Sequence, residues 1–544
     1  MSEPMAPAAE THDAALGPES PLEPAYSLLS EPWLSVRWLS GSTGSVGLRE
    51  LFARSHEIAA LAETSPPAWV ALHRMLLAIT HRALTLQLGR WTDADRARWF
   101  RHGLPAEAFT AYFNRWQDRF WLFHPAQPFM QVAALACAPQ TQVPKPWTQV
   151  ALANAAGNNP VVFDHSIDAA PRATSPAQVL CAMLGYLQFV PGGPVKVLHG
   201  HDKKGPLFDS AVILPVGATL AQTLALSLHP SATSDAMQQQ DRPAWERDPP
   251  TLEHLIADAA LAEGTNDLYT RLTRAVLLLR EPAVGDVTHL RFSEGLGLLE
   301  DDMSADPMHS YKQSDDKSVR LRFADGRASW RDLPALLPVA PGTTWRPAAV
   351  LSWSRNLLNA GGAFDDEVQV VVAGMAATQG KMLQVRSEHF RLPPGVMSAA
   401  DTAAALREQL QRAEELHLAL KQLARRVVAM ATPNSSSKET QNHARDTVDA
   451  GPLAATFFVH AERGLAALLQ ALGHGDTDAA HTAWSAVLLG AAAAAWAAVG
   501  DLLGQSADAL RARALNEGRF HALIHPLRPA ATTPAATAHE ETPA

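Results

Sequence analysis

Residues 399–431, AADTAAALREQLQRAEELHLALKQLARRVVAMA, and 476–503, DTDAAHTAWSAVLLGAAAAAWAAVGDLL, decide how the last quarter of the chain folds. Both are long helical runs with almost no strand signal, and two more share the region, PLAATFFVHAERGLAALLQAL at 452–472 and SADALRARALNEGRFHAL at 506–523. Short polar breaks separate most of them, as antiparallel neighbours in a bundle require. The spacing predicts an all-α four-helix bundle over 399–525, entered near the Pro393, Pro394 pair, which disfavours helix in the residue before it. Thr482 to Gly500 carry no charge over nearly a membrane length, but the stretch is mostly alanine, which partitions weakly into lipid. Asp476 and Thr477 cap its start and Asp501 closes its apolar run, so it reads as a buried helix and not as a membrane span.

Upstream the texture is different. EPWLSVRWL (31–39) alternates like a strand, whereas LRELFARSHEIAALA (48–62) and PAWVALHRMLLAITHRALTLQL (67–88) have the periodicity of amphipathic helices. Strand-like SAVILPV (210–216), SVRLRFA (318–324) and EVQVVVAG (367–374) mix with helices in no regular alternation, which predicts an irregular α+β domain over 29–395 instead of a doubly wound sheet. A chain of 544 residues exceeds what one core usually organises, so two domains follow. Residues 1–28 and 529–544, rich in Ala, Pro and Glu, are expected to be disordered tails.

The net charge is -10, which on its face argues against nucleic acid. Six acidic residues among the first 36 (Glu3, Glu10, Asp13, Glu19, Glu23, Glu31) and Glu540 and Glu541 in the tail, all without nearby Lys or Arg, leave the folded part near -2. A near-neutral body can carry local basic patches. Cys137 and Cys181 are far apart and lack a CxxC partner, which argues against a disulfide framework or cysteine-based zinc site. With no secretory signal at the start, a cytoplasmic protein is expected, without metal or cofactor.

Three segments could carry chemistry. VQVVVAGMAATQGKM (368–382) places Gly380 and Lys381 after a strand, but five residues separate Gly374 from Gly380 and Met382 follows the lysine, so it fails as a phosphate-binding P-loop. His201 and Asp202 pair in a glycine-bounded loop, without the helical His and Asp partners of metal phosphohydrolases. That loop, FVPGGPVKVLHGHDKKG (189–205), frees backbone amides at Gly192 and Gly193 and supplies Lys196, His199, His201, Lys203 and Lys204. It suits a polyanion, and an ordinary surface turn with a solvated charge run fits it at least as well. In NAAGNNPVVFDHSID (154–168), Phe163 either stacks on a base or anchors its own loop. The aromatic cluster AYFNRWQDRFWLFHPAQPFMQV (111–132), with Trp116, Phe120, Trp121 and Phe129, reads as core before it reads as a stacking platform.

The order of the pieces is distinctive: PWLSVR, WLFHPAQPFMQV, VVFDHSID, the PGG loop, DPMHSYKQSDDK (306–317), GMAATQGKM and a terminal helical bundle. Over roughly residues 30–525 the chain resembles the CasA-type large subunit of the type I-E CRISPR Cascade effector complex. The resemblance implies a subunit without catalysis of its own. It implies recognition of the protospacer-adjacent motif in double-stranded DNA, help in opening the duplex for R-loop formation, and recruitment of a helicase-nuclease. CRISPR RNA and the other Cascade subunits become the expected partners, with sequence choice left to RNA pairing.

By position, the loop with Asn158, Asn159, Phe163, Asp164 and His165 resembles the segment that docks the subunit onto the RNA-bearing backbone of the complex. Gly192 and Gly193 resemble a loop that enters the minor groove, and Gln379 a wedge that parts the first base pair. Lys196, Lys203 and Lys204 become phosphate contacts. Family members can carry a groove-reading lysine; Arg291 in HLRFSEG is the nearest candidate for its place, with Lys312 behind it, and the cysteine cluster of some members is absent. On residues alone, a metal-dependent nuclease using His201 and Asp202, or a helical protein-binding scaffold, stays open.

Overall fold

The structure is a computed structural model that describes residues 23–152, 170–192, 197–198, 204–281, 285–300, 305–314, 317–339, 344–362, 368–378 and 381–528. The chain forms two compact units. The first comprises Met1–Gly89, Pro105–Pro206 and Ala232–Glu300; the second comprises Arg90–Leu104, Leu207–Ser231 and Asp301–Ala544. Among the described residues all named strand pairs are antiparallel, in five small sheets mixed with helices, as the irregular α+β reading expects.

The first unit is built around helix Pro66–Leu88, which packs on Pro176–Phe189, Ala106–Trp116 and Thr265–Thr270. Its periodicity predicts one polar face, yet from Ala68 to Thr85 all but Trp69 are buried. The polar positions survive burial because they find internal partners. Arg82 makes a buried ion pair with Glu246 at 2.7 Å, and Glu246 also accepts from Tyr112 Oη at 2.8 Å. Around this pair, Phe129 stacks with Phe120 and with Trp245 at centroid distances of 5.3 Å, and Phe120 lies tilted against Trp245 at 5.8 Å, so these members of the aromatic cluster are core.

Strand Leu34–Trp38 forms as expected, flanked by Thr43–Val46 and Ile58–Leu61. Residues 48–62 do not form one helix. Helix Leu48–Ala53 stops at a turn, and Leu61 pairs with Val36 across the sheet edge. Backbone pairing that buries Ile58 and Leu61 outweighs the local helical pattern. Residues 25–28, expected to lie in a disordered tail, are structured: Ala25–Ser27 pairs with Trp121–Phe123, and Leu28 and Leu29 are buried. A third sheet, Lys145–Pro146 with Val287–Glu294 and Arg274–Arg280, completes the unit beside helix Pro176–Phe189, whose start is fixed by a Ser175–Gln178 capping box.

In the second unit, Val368–Thr378 is the centre of a three-stranded sheet between Ser210–Val216 and Lys381–Leu392. Helix Asp93–His102 packs on Leu220–Ser227 and Ala349–Gly361. The helical run that opens after Pro393 and Pro394 lies wholly inside this unit, together with that sheet.

Over 399–525 the run holds six α-helices where four were expected: Ala400–Met430, Lys438–Ala450, Leu453–Glu462, Leu465–Gly473, Thr477–Leu503 and Ala507–Ile524. KETQNHARDTVDA is helical despite its polarity because Ala444 and Val448 bury one narrow face. The stretch at 452–472 breaks at Gly464, where a Cβ would lie 2.5 Å from a Val487 methyl. Among the described residues Thr477–Leu503 is the helix long and apolar enough to cross a membrane. Trp484, Leu488, Ala491, Ala495 and Val499 bury one face of it, Trp484 Nε1 donates to the Gln409 carbonyl at 2.8 Å, and Asp476 caps its first turn. Glu414 ties the run to the 3-10 turn Ser329–Ala335 through Arg331 at 2.7 Å, and to Arg327 just before that turn at 3.1 Å.

Candidate nucleic-acid interface

The stems of the glycine loop are held by three contacts within the first unit. Helix Pro176–Phe189 ends at Val190, whose carbonyl accepts from the Gly205 N–H at 2.9 Å, so the outgoing and returning chains touch there. A Cβ on Gly205 would lie 2.4 Å from the Gln188 carbonyl oxygen; the approach needs glycine. On the outgoing side, Arg274 Nη2 donates to the Pro191 carbonyl at 3.2 Å. On the returning side, Glu294 Oε2 accepts from the Leu198 N–H at 2.9 Å and from Ser293 Oγ at 2.8 Å.

Arg274 and Glu294 face each other across the ladder of Arg274–Arg280 and Val287–Glu294, and both are buried. The sheet thus presents one cation to a carbonyl and one carboxylate to an amide, each matched in polarity to the backbone group it holds. Gly192 follows Pro191 directly and is half-buried. Gly193, Lys196, Lys203, His199, His201 and Asp202 lie outside the described residues, as do Asn158, Asn159, Phe163, Asp164 and His165.

Lys204 is exposed, with Nζ 3.4 Å from Glu300 Oε1, a surface pair worth no more than about 1 kcal/mol. Arg291 sits on Val287–Glu294 opposite Leu277, and its Nη1 donates to the Thr141 carbonyl at 2.8 Å, which holds the guanidinium against the chain's own backbone. Lys312 is exposed on strand Tyr311–Ser314, opposite Val319 and Trp345.

In the second unit the hairpin of Val368–Thr378 and Lys381–Leu392 is eleven pairs long and ends on Thr378 facing Lys381. Gln379 and Gly380, which join the strands, lie outside the described residues. The pattern of a strand, a glycine and a lysine, superficially that of a P-loop, belongs to an antiparallel hairpin; no helix follows Lys381 to place its N-terminus at a phosphate. Among the described residues no group of three or more His, Cys, Asp or Glu is placed to hold a metal ion.

A family model for CRISPR-associated protein Cse1 matches residues 27–495. The chain belongs to the Cse1 family. It is 33% identical over 519 residues to the CRISPR-associated protein CasA/Cse1 of Thermus thermophilus, a match that covers 92% of this chain and 97% of that protein. The crystal structure of CasA from the same organism aligns with a TM-score of 0.78 at 30% identity, over 92% of this chain and 99% of that one. A chain of a CRISPR RNA-guided surveillance complex shares the Cse1 fold with a TM-score of 0.71 at 20% identity, covering 92% and 100%.

Within this Cse1 fold three residues near the candidate segments were not singled out from sequence: Arg274, Glu294 and Asp209. Glu294 stands three residues after Arg291 in HLRFSEG, but nothing local ties it to Leu198, 96 positions away. Asp209 precedes the SAVILPV strand, and its link to Ala377 spans 168 positions. Only tertiary pairing brings either one to its partner.

Proposed function

We propose that this chain is the large, non-catalytic subunit of a type I-E CRISPR RNA-guided surveillance complex. In this reading it recognises the protospacer-adjacent motif as duplex DNA, helps part the strands for R-loop formation, and presents the complex to a helicase-nuclease. The observation that carries the reading is membership of the Cse1 family over residues 27–495.

The minor groove of B-DNA is about 6 Å wide and shows a degenerate hydrogen-bond pattern, so a loop of glycine backbone fits it and tolerates several related motifs. Stems held by Arg274 and Glu294 spare the loop much of its ordering cost on binding. Lys196, Lys203 and Lys204 then contact phosphates, which positions the duplex without reading it. Gln379, at the end of a hairpin of eleven pairs, enters beneath the motif, and unstacking the first step costs a few kcal/mol that the added contacts offset. Lys312, exposed on its strand, serves as the groove-reading cation, because the Arg291 guanidinium is held on the Thr141 carbonyl. The Asn158–His165 segment docks the subunit onto the RNA-bearing backbone.

The test compares the reconstituted complex with and without this chain on two targets. Removing the chain should abolish binding to a duplex carrying a favourable flanking motif while weakening binding to the single-stranded target far less. Equal losses on the two targets would contradict a role in opening DNA.

A further inference from the structure

The hairpin of the second unit changes register near its end. Pairing runs regularly from Val368 with Leu392 to Ala376 with Gln384; then Ala377 faces Met382, and Leu383 is the extra residue of a bulge before Thr378 meets Lys381. A bulge raises local twist and re-aims whatever lies beyond it. This one is held from outside the hairpin. The Ala377 N–H donates to Asp209 Oδ1 at 3.1 Å, and Asp209 Oδ2 lies 2.9 Å from Arg322 Nη1.

The backbone at Asp209 explains how it reaches. Pairing between Ser210–Val216 and Val368–Thr378 ends at Ser210 with Met375, and Asp209 has φ +51°, in the left-handed region that Asp tolerates better than most residues. That turn leaves the line of the strand and lets the carboxylate meet the hairpin two residues beyond the last pair. Arg322 follows Leu321, whose carbonyl accepts from Ala211 N–H at 3.1 Å, so the cation is anchored to the same strand.

We propose that Asp209, oriented by Arg322, is a positioning residue that fixes the direction in which the hairpin projects its tip. This rests on the reading of Gln379 as the strand-parting wedge. Direction matters there because displacing a base requires the inserted group to be held to within about 0.5 Å.

The test follows R-loop formation by the complete RNA-containing complex, with a fluorescent base beside the flanking motif, on an intact duplex and on one whose first target base pairs are already mismatched. Asp209→Gly keeps the positive φ and removes the carboxylate; it should slow opening of the intact duplex about tenfold and leave the pre-opened target within about twofold. Asp209→Asn keeps an acceptor for Ala377 and should fall between Asp209→Gly and the parent. Equal slowing on both targets, or a lower melting temperature that accounts for the loss, would show a merely structural role and overturn the inference. Parent-like opening by Asp209→Gly while Gln379→Ala is slow overturns the inference alone. Parent-like opening by Gln379→Ala overturns the wedge reading, and the inference falls with it.

Discussion

Replacing Glu294 by alanine should release one stem of the glycine loop, and it also removes the carboxylate that faces the buried Arg274 guanidinium across the ladder. Glu294 is fully buried, and its Oε2 accepts from the Leu198 N–H at 2.9 Å and from Ser293 Oγ at 2.8 Å. Truncation removes a charged acceptor from a donor with little access to water, since Leu198 is 9% exposed and Ser293 is fully buried. A hydrogen bond to an ionised group contributes about 1.5–3 kcal/mol. At about 1.4 kcal/mol per factor of ten, the Leu198 amide should exchange with solvent deuterium about 10 to 150 times faster. Amide exchange read by mass spectrometry on a peptide spanning Leu198 measures this directly. Peptides from the Pro66–Leu88 helix report whether the change stays local. Glu294→Gln keeps an amide oxygen and should show a smaller effect. Unchanged exchange at Leu198 in the alanine variant, or glutamine behaving as alanine does, would refute the pinning.

Other consequences are equally measurable. Gly205→Ala drives a methyl into the Gln188 backbone at 2.4 Å and should destabilise the first unit by about 1–3 kcal/mol in denaturant titrations, with parent-like stability as the contrary result. Trp484→Ala removes a buried indole and its bond to Gln409, and should cost the second unit about 3–5 kcal/mol; an unchanged melting profile would argue against that packing. Burial pushes the His73 imidazole down to about 4, only partly countered by its bond to the Trp69 carbonyl at 2.8 Å. Its folded value is depressed below the ordinary value of about 6.5, so the unfolded chain binds the extra proton. The first unit's stability should therefore be complete above pH ~6.5 and decline as pH falls from there toward ~4. His73→Phe should flatten that decline, and an identical decline in the variant would assign it to other groups.

Local periodicity made the helices after residue 399 readable because each buries a regular apolar stripe, as Leu406, Leu410, Ala413, Leu420 and Val427 do. It missed Lys438–Ala450, whose buried face is only three residues, Thr440, Ala444 and Val448. It also merged two helices at Gly464, where the break answers to Val487 on another helix. Residues 48–62 erred in the opposite direction, since the competing sheet partner Val36 is invisible to a window centred on Ile58. The candidate interface divides in the same way. Glycines and lysines between 189 and 205 are conspicuous in the sequence, whereas Arg274, Glu294 and Asp209 are single polar residues whose partners are 83, 96 and 168 positions away. Arg291 shows the reverse limit: a cation noticed in sequence has its guanidinium on the Thr141 carbonyl.

Motif reading is the centre of the account, and one measurement addresses it directly. The reconstituted complex, with its RNA held constant, is titrated against duplexes that match the RNA fully and differ only in the flanking bases, at one fixed salt concentration because phosphate contacts make every affinity salt-dependent. The account predicts that a small related set of flanking motifs binds at least about tenfold more tightly than the rest, each unfavourable base costing about 1–3 kcal/mol. It further predicts that Gly192→Asp erases the preference. Affinities that ignore the flanking bases, or a preference that survives Gly192→Asp unchanged, would contradict it.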